Sequence, residues 1–146
     1  MADALSPGKV VILGNGVASL AAIATLRQRG FGGKITVVSD EPHHAYARML
    51  VPYYVSGRLA RDRLFLVAPD YHRSLGVDLV LGSGAVHVDT EGRRVVLAGG
   101  GEVPYDRLLV ATGSRPTMPA VPGIGGQGVR GLRSMTDAEG ISSLVL

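Results

Sequence analysis

Eleven residues near the N-terminus, Lys9-Val10-Val11-Ile12-Leu13-Gly14-Asn15-Gly16-Val17-Ala18-Ser19, limit the folds open to this chain more than any other stretch. An apolar run that stops at two glycines and opens into an amphipathic sequence reads as strand, turn and helix. Gly14 permits a tight turn. Gly16 lacks the side chain that would hold a diphosphate off the backbone, and the helix start offers free N–H groups at the positive end of the helix dipole. The backbone of Gly14, Gly16, Val17 and Ala18 therefore suits an anionic dinucleotide. Ser19 takes the third position of the pattern, where glycine or alanine gives the closest helix–strand packing. On its own the turn also fits a glycine bend without a ligand; residues downstream decide between the two.

A chain of 146 residues can bury the core of one domain, or be a piece of something larger. Hydrophobic residues make up 46% and charged ones 18%, yet no run approaches the roughly 18 apolar residues of a membrane span. Residues 1–8 lack the basic and then apolar leader of a secretory signal. Without cysteine the chain holds no disulfide, thiolate metal site, iron–sulfur ligand or redox-active thiol. A globular cytoplasmic protein is the expectation. The formal net charge is +3 and the pI about 9.6. Lys9 and Lys34 are the only lysines, and the arginines are scattered without interleaved aromatics. That distribution speaks against a nucleic-acid groove and for solvated surface charge, or for an acidic protein partner.

Val17, Leu20, Ala21 and Ala24 fall at i, i+3, i+4 and i+7, so one apolar stripe predicts a helix to about residue 29, with Gly30 free to take a left-handed cap. A second buried strand over 35–38 completes a βαβ unit and runs into Ser39-Asp40-Glu41-Pro42. Asp40 and Glu41 stand just over twenty residues past the glycine turn, where an acid can accept hydrogen bonds from a ribose. The plainer reading is a polar turn before Pro42. An NADP-type site would place arginine here, so an NAD-like or FAD-like ligand is expected.

From His43 to about Leu66 the periodicity loosens. Arg48 lies among apolar and aromatic residues, where a guanidinium needs a partner and a phosphate would serve. Adjacent His43 and His44 point apart and have no third ligand at metal spacing, which predicts a surface turn and no metal site. Residues 69–75 read as a short helix with His72 facing solvent. Segments 77–81, 85–89 and 94–97 alternate like an antiparallel meander, with His87 on the face opposite Val86 and Val88. A further buried strand over 105–113 closes in Ala111-Thr112-Gly113, small residues that bring backbone close to a neighbour or ligand. Pro and Gly then mark a linker over 115–126, and Ser134 or Thr136 can cap a helix that runs to Leu146 without a C-cap. The expected division is a first segment of a cofactor domain over 1–115, followed by linker and helix over 116–146.

Taken in order, Gly14-Asn15-Gly16-Val17-Ala18-Ser19, Asp40-Glu41-Pro42-His43 with Tyr46 and Arg48, Tyr105-Asp106, Ala111-Thr112-Gly113-Ser114-Arg115-Pro116, Val121-Pro122-Gly123 and Arg133-Ser134-Met135-Thr136-Asp137-Ala138 resemble the FAD- and NAD(P)-dependent pyridine nucleotide-disulfide oxidoreductases. The likeness is to the ferredoxin, rubredoxin and nitrite reductase-like branch and covers nearly the whole chain. It implies an α/β fold, the three-layer ββα FAD/NAD(P)-binding Rossmann-like domain with a parallel sheet and an antiparallel meander. It further implies that Gly14, Gly16, Val17 and Ala18 hold the FAD pyrophosphate and that Asp40 and Glu41 hold the adenosine ribose. Arg48 would lie along the cofactor, Val86 would meet the adenine through its backbone, and Ala111, Thr112 and Gly113 would line the flavin side.

The resemblance implies electron flow from NAD(P)H through FAD to a redox partner protein. Members that reduce thiols, peroxide or oxygen carry cysteines near the first helix or ahead of the Pro-Tyr-Tyr segment; here Met49 and a cysteine-free chain depart from that pattern. The lysine that related reductases place after the arginine is also missing from Leu50 to Tyr54. Family members continue into a second glycine-rich unit for NAD(P)H and a Gly-Asp segment, so this chain reads as the first FAD-binding segment of a longer parent. A nucleotide-binding module, a subunit of a split enzyme or a homo-oligomer stays open, as does an NAD- or S-adenosylmethionine-using enzyme built on one unit.

Overall fold

The computed structural model describes residues 8–145. The expected lead at residues 1–7 and the helix end at Leu146 lie outside them. In chain order the elements are β1 (Lys9–Leu13), α1 (Val17–Gln28), β2 (Lys34–Val38), α2 (Val51–Val55), α3 (Tyr71–Ser74), β3 (Val77–Val80), β4 (Ala85–Asp89), β5 (Arg94–Leu97), β6 (Glu102–Pro104), β7 (Arg107–Val110) and α4 (Met135–Val145). Short 3-10 turns cover Arg48–Leu50 and Arg61–Leu64. They form two compact units: the described residues up to Ala45 with Val67–Gly113, and Tyr46–Leu66 with the residues from Ser114 on.

In the first unit a parallel sheet of order β3-β2-β1-β7 lies beside an antiparallel sheet of order β4-β5-β6. β1 pairs in register with β2, Val10 opposite Ile35 and Ile12 opposite Val37. The apolar run on both faces of β1 now has its cause. Ile12, with Ile35 and Val37 of β2, packs against Ile23 of α1, Phe31 and Val77. Val11, Leu13 and Val38 point the other way, onto Val95 with Val88, Leu97 and Val103 of the antiparallel strands. Helix, parallel sheet and meander are thus three layers around two apolar interfaces. A buried side chain such as Ile12 contributes about 1.5–3 kcal/mol to them.

Four expectations from sequence need correction. The meander is β4-β5-β6, whereas Val77–Val80 joins the parallel sheet beside β2. Its alternation comes from its place at the sheet edge, where exposed Asp78 meets Lys34 at 2.9 Å; the third meander strand, Glu102–Pro104, is too short and too close to glycines to show a period. β7 is not a buried strand but the opposite edge, and Val110 is 63% exposed. His72 does not face solvent; it is 1% exposed. His87 and Val86 are both exposed, because the β4–β5 register shifts between Ala85 and His87 and ends the alternation there.

The second unit gathers Tyr46, Val51, Leu64, Met135 and Ala138. Tyr46 forms an antiparallel bridge with Phe65, and its hydroxyl oxygen accepts from the Met135 amide at 3.1 Å. Ser134, not Thr136, caps α4: its Oγ accepts from the Asp137 amide at 3.1 Å while Asp137 Oδ2 accepts from the Ser134 amide at 2.8 Å and the Arg133 amide at 3.0 Å. That reciprocal box satisfies donors the helix itself cannot reach. Partial burial works against ionisation of Asp137, but these donors and the nearby Arg133 charge hold its carboxyl below the usual range.

Candidate nucleotide-binding site

The carboxyl ends of β1, β2, β3 and β7 converge on one edge of the parallel sheet, the edge where open α/β sheets take their ligands. Main-chain bonds fix the turns there: Gly14 N to Val38 O at 2.7 Å, Ala111 N to Leu13 O at 2.8 Å and Ser39 N to Val80 O at 2.9 Å. The two glycines have different reasons to be glycine. Gly14 has φ +101°, and a Cβ there would overlap the Ala111 carbonyl. Gly16 has ordinary extended backbone, φ −118°, and a Cβ there would meet nothing within 4 Å. Gly14 is required by packing; at Gly16 the protein offers open space instead.

Gly16 is the N-cap of α1, a helix of 12 residues with no acid in its first turn. The first amides of such a helix lack carbonyl partners within it, so the start of α1 presents donors and a positive dipole end with no carboxylate to oppose an anion. Val17 is 63% exposed and Ala18 exposed. Asn15, between the glycines, donates from Nδ2 to the His43 carbonyl at 3.4 Å, while its buried Oδ1 has no hydrogen-bond partner. The open Gly16 face, at a helix start whose amides point outward, fits a bound diphosphate.

Asp40 and Glu41 follow β2 on the same edge. Asp40 is exposed, and Gly84 lies close enough that a Cβ there would come within 3.0 Å of the Asp40 Cβ. The Glu41 carbonyl accepts from the Gly82 amide at 3.2 Å and the Ser39 carbonyl from the Ser83 amide at 3.1 Å, while Ser39 Oγ accepts from the Glu41 amide at 3.3 Å. These bonds tie the acidic turn to residues 82–84, the segment that enters β4 ahead of Val86. Ala111 abuts Gly14, and Thr112 and Gly113 follow it, exposed. Arg48 belongs to the second unit, where its Nη1 donates to the Tyr46 hydroxyl at 3.0 Å and its guanidinium lies 5.1 Å from the centre of the Tyr46 ring.

Sequence reasoning passed over Asn15 and Ser39. An amide flanked by two glycines and a hydroxyl directly before the acidic pair were the available signals. Among the described residues no three His, Asp or Glu side chains are placed to hold a metal ion, and no helix is long and apolar enough to cross a membrane.

Sheet order, layers and glycine turn define the class, an α/β chain of Rossmann-like, FAD/NAD-binding architecture. Residues 8–145 match the family described as pyridine nucleotide-disulphide oxidoreductase, and the chain belongs to that family. It is 36% identical over 107 residues to rhodocoxin reductase of Rhodococcus erythropolis, covering 73% of this chain and 25% of that protein. It is also 36% identical over 138 residues to a probable ferredoxin reductase, CtmF, of Castellaniella defragrans, covering 94% of this chain and 34% of that one. Among solved structures, the covalent putidaredoxin reductase–putidaredoxin complex superposes with a TM-score of 0.80 at 30% identity, over 95% of this chain and 34% of the matched chain. The chain thus spans a quarter to a third of these relatives.

Proposed function

We propose that this chain is the FAD-binding segment of an NAD(P)H-dependent flavoprotein oxidoreductase that passes electrons to a ferredoxin-, rubredoxin- or nitrite reductase-type acceptor. The observation that carries this reading is the open face of Gly16 at the start of α1, beside a Gly14 locked against Ala111. Bound FAD supplies the chemistry, taking a hydride from NAD(P)H and releasing electrons singly to the acceptor. The protein's part is placement. Amides of Gly16, Val17 and Ala18 hold the diphosphate, Asp40 and Glu41 accept from the adenosine ribose, the Val86 main chain meets the adenine, and Ala111, Thr112 and Gly113 line the flavin side. Arg48, steadied by Tyr46, supplies a positive charge to the cofactor.

An acidic redox protein suits the second unit. Arg48, Arg58, Arg61, Arg63, Arg115, Arg130 and Arg133 belong to it, against Asp62, Asp137 and Glu139. Such an excess steers an acidic partner in a salt-dependent way.

Equilibrium dialysis of the purified chain against FAD and against NAD separates the readings. The expected result is a yellow protein that retains FAD and holds NAD far more weakly. A colourless chain that binds NAD and not FAD would contradict the proposal and favour an enzyme built on a single NAD site.

A further inference from the structure

Two glycines frame the segment that backs the acidic turn, and they are glycine for different reasons. Gly82 has φ +70°, a left-handed turn that L side chains resist. Gly84 has no such angle; its constraint is space. A Cβ there would stand 3.0 Å from the Asp40 Cβ, 3.6 Å from the Asp40 Cα and 3.9 Å from the Asp40 amide nitrogen. These three nearest atoms are main chain and the root of a side chain, which cannot swing aside as the tip of a long side chain can. The segment has little room to retreat. The Gly84 carbonyl accepts from the Ala98 amide at 2.8 Å, and Ser83 Oγ accepts from the Gly99 amide at 3.2 Å. On the other side, the Ser83 and Gly82 amides donate to the carbonyls of Ser39 and Glu41, the two neighbours of Asp40. Asp40 itself is exposed, so a group added at position 84 displaces Asp40 first.

We propose that Gly84 is a positioning residue for nucleotide recognition: its bare Cα, packed on Asp40, sets where the Asp40 carboxylate stands toward the ribose hydroxyls. The role rests on the reading of Asp40 as a ribose acceptor given above. A carboxylate that accepts from a hydroxyl makes a short, charge-assisted bond, and such bonds weaken steeply when distance or angle is spoiled. A Cβ at position 84 is tight enough that its neighbour must give by a few tenths of an ångström. The three atoms nearest to it all belong to Asp40 and none to the glycine turn. Ribose recognition is therefore lost while the diphosphate site is left as it was.

The experiment compares ADP with dideoxy-ADP, which lacks both ribose hydroxyls, by calorimetric titration into the wild type, Gly84→Ala, Asp40→Gly and the double variant, with a thermal melt of each. The wild type is expected to prefer ADP about ten-fold. Gly84→Ala should lose most of that preference and bind dideoxy-ADP as the wild type does; a merely structural defect would weaken both ligands alike. Asp40→Gly should lose the preference too, and it clears the space that a Cβ at position 84 needs. Gly84→Ala should therefore lower the melting temperature on its own and change neither melt nor affinities when added to Asp40→Gly. Should Gly84→Ala fail to fold, Ser83→Ala takes its place: it releases the Gly99 amide from the segment without adding bulk and should lower the preference in the same direction. If neither ligand binds the wild type, the nucleotide reading fails and the positioning role falls with it. Wild type that binds ADP and dideoxy-ADP equally, or a Gly84→Ala protein that keeps the full preference, overturns the positioning role and leaves the diphosphate reading standing.

Discussion

At the scale of single residues, Gly14 and Gly16, with Asn15 between them, do the different work expected of them from sequence, and the structure supplies the physical cause. Gly14 is fixed by φ and by the Ala111 carbonyl, while Gly16 is fixed by nothing the protein supplies. Ser19 makes the opposite point. The third position of the turn pattern carries a hydroxyl where the closest packing favours glycine or alanine, and the structure buries that hydroxyl completely with no hydrogen-bond partner. Ser19→Ala removes an unsatisfied polar atom and substitutes a better helix former. The melting temperature should rise by a few degrees, corresponding to about 1 kcal/mol; a fall would mean that the hydroxyl is satisfied. His72 went unread for a related reason. A short polar helix carries no periodic signal, so nothing in the sequence marked one of its polar residues as buried.

At the scale of elements, the βαβ unit was legible because its signals are local: an apolar run, a glycine turn and a left-handed Gly30 at φ +79°. The stripe of Val17, Leu20, Ala21 and Ala24 found the helix but not its buried face: Val17 and Ala21 are exposed, and α1 buries Ser19 and Ile23. The assignment of strands to sheets was not legible. Val77–Val80 reads like a meander strand because an edge strand of a parallel sheet alternates as well, and β6 has too few residues to show a pattern. The contacts that place β3 are long-range. Arg27 is one of them: from the last turn of α1 it donates to the carbonyls of Leu75 and Gly76 between α3 and β3, and to those of Phe31 and Gly33 before β2. Arg27 thereby clamps two loop crossings at once. Arg27→Met keeps the aliphatic stem and leaves those carbonyls without their donor, so chemical denaturation should show a loss of about 2–3 kcal/mol. A change below about 0.5 kcal/mol would return Arg27 to surface charge.

At the scale of the whole molecule, the three layers of the first unit bring the ends of four parallel strands to one edge, and the candidate residues of that unit gather there although they are spread from Gly14 to Gly113 in sequence. Resemblance supplied that grouping; the residues read alone offered Asp40 with Glu41, Arg48 and the Ala111-Thr112-Gly113 strand end only as separate candidates. Everything proposed about electron transfer depends on the first turn of α1 holding a diphosphate. Calorimetric titration of FAD into the wild type, Gly16→Val and Gly14→Ala, with a melt of each, tests this directly. Gly16→Val should melt like the wild type and lose FAD binding by at least about 100-fold, the two or more charge-assisted bonds of a displaced diphosphate. Gly14→Ala should instead melt at a lower temperature, because its Cβ strikes backbone. Wild-type FAD affinity in a folded Gly16→Val protein would contradict the assignment of the diphosphate to this turn.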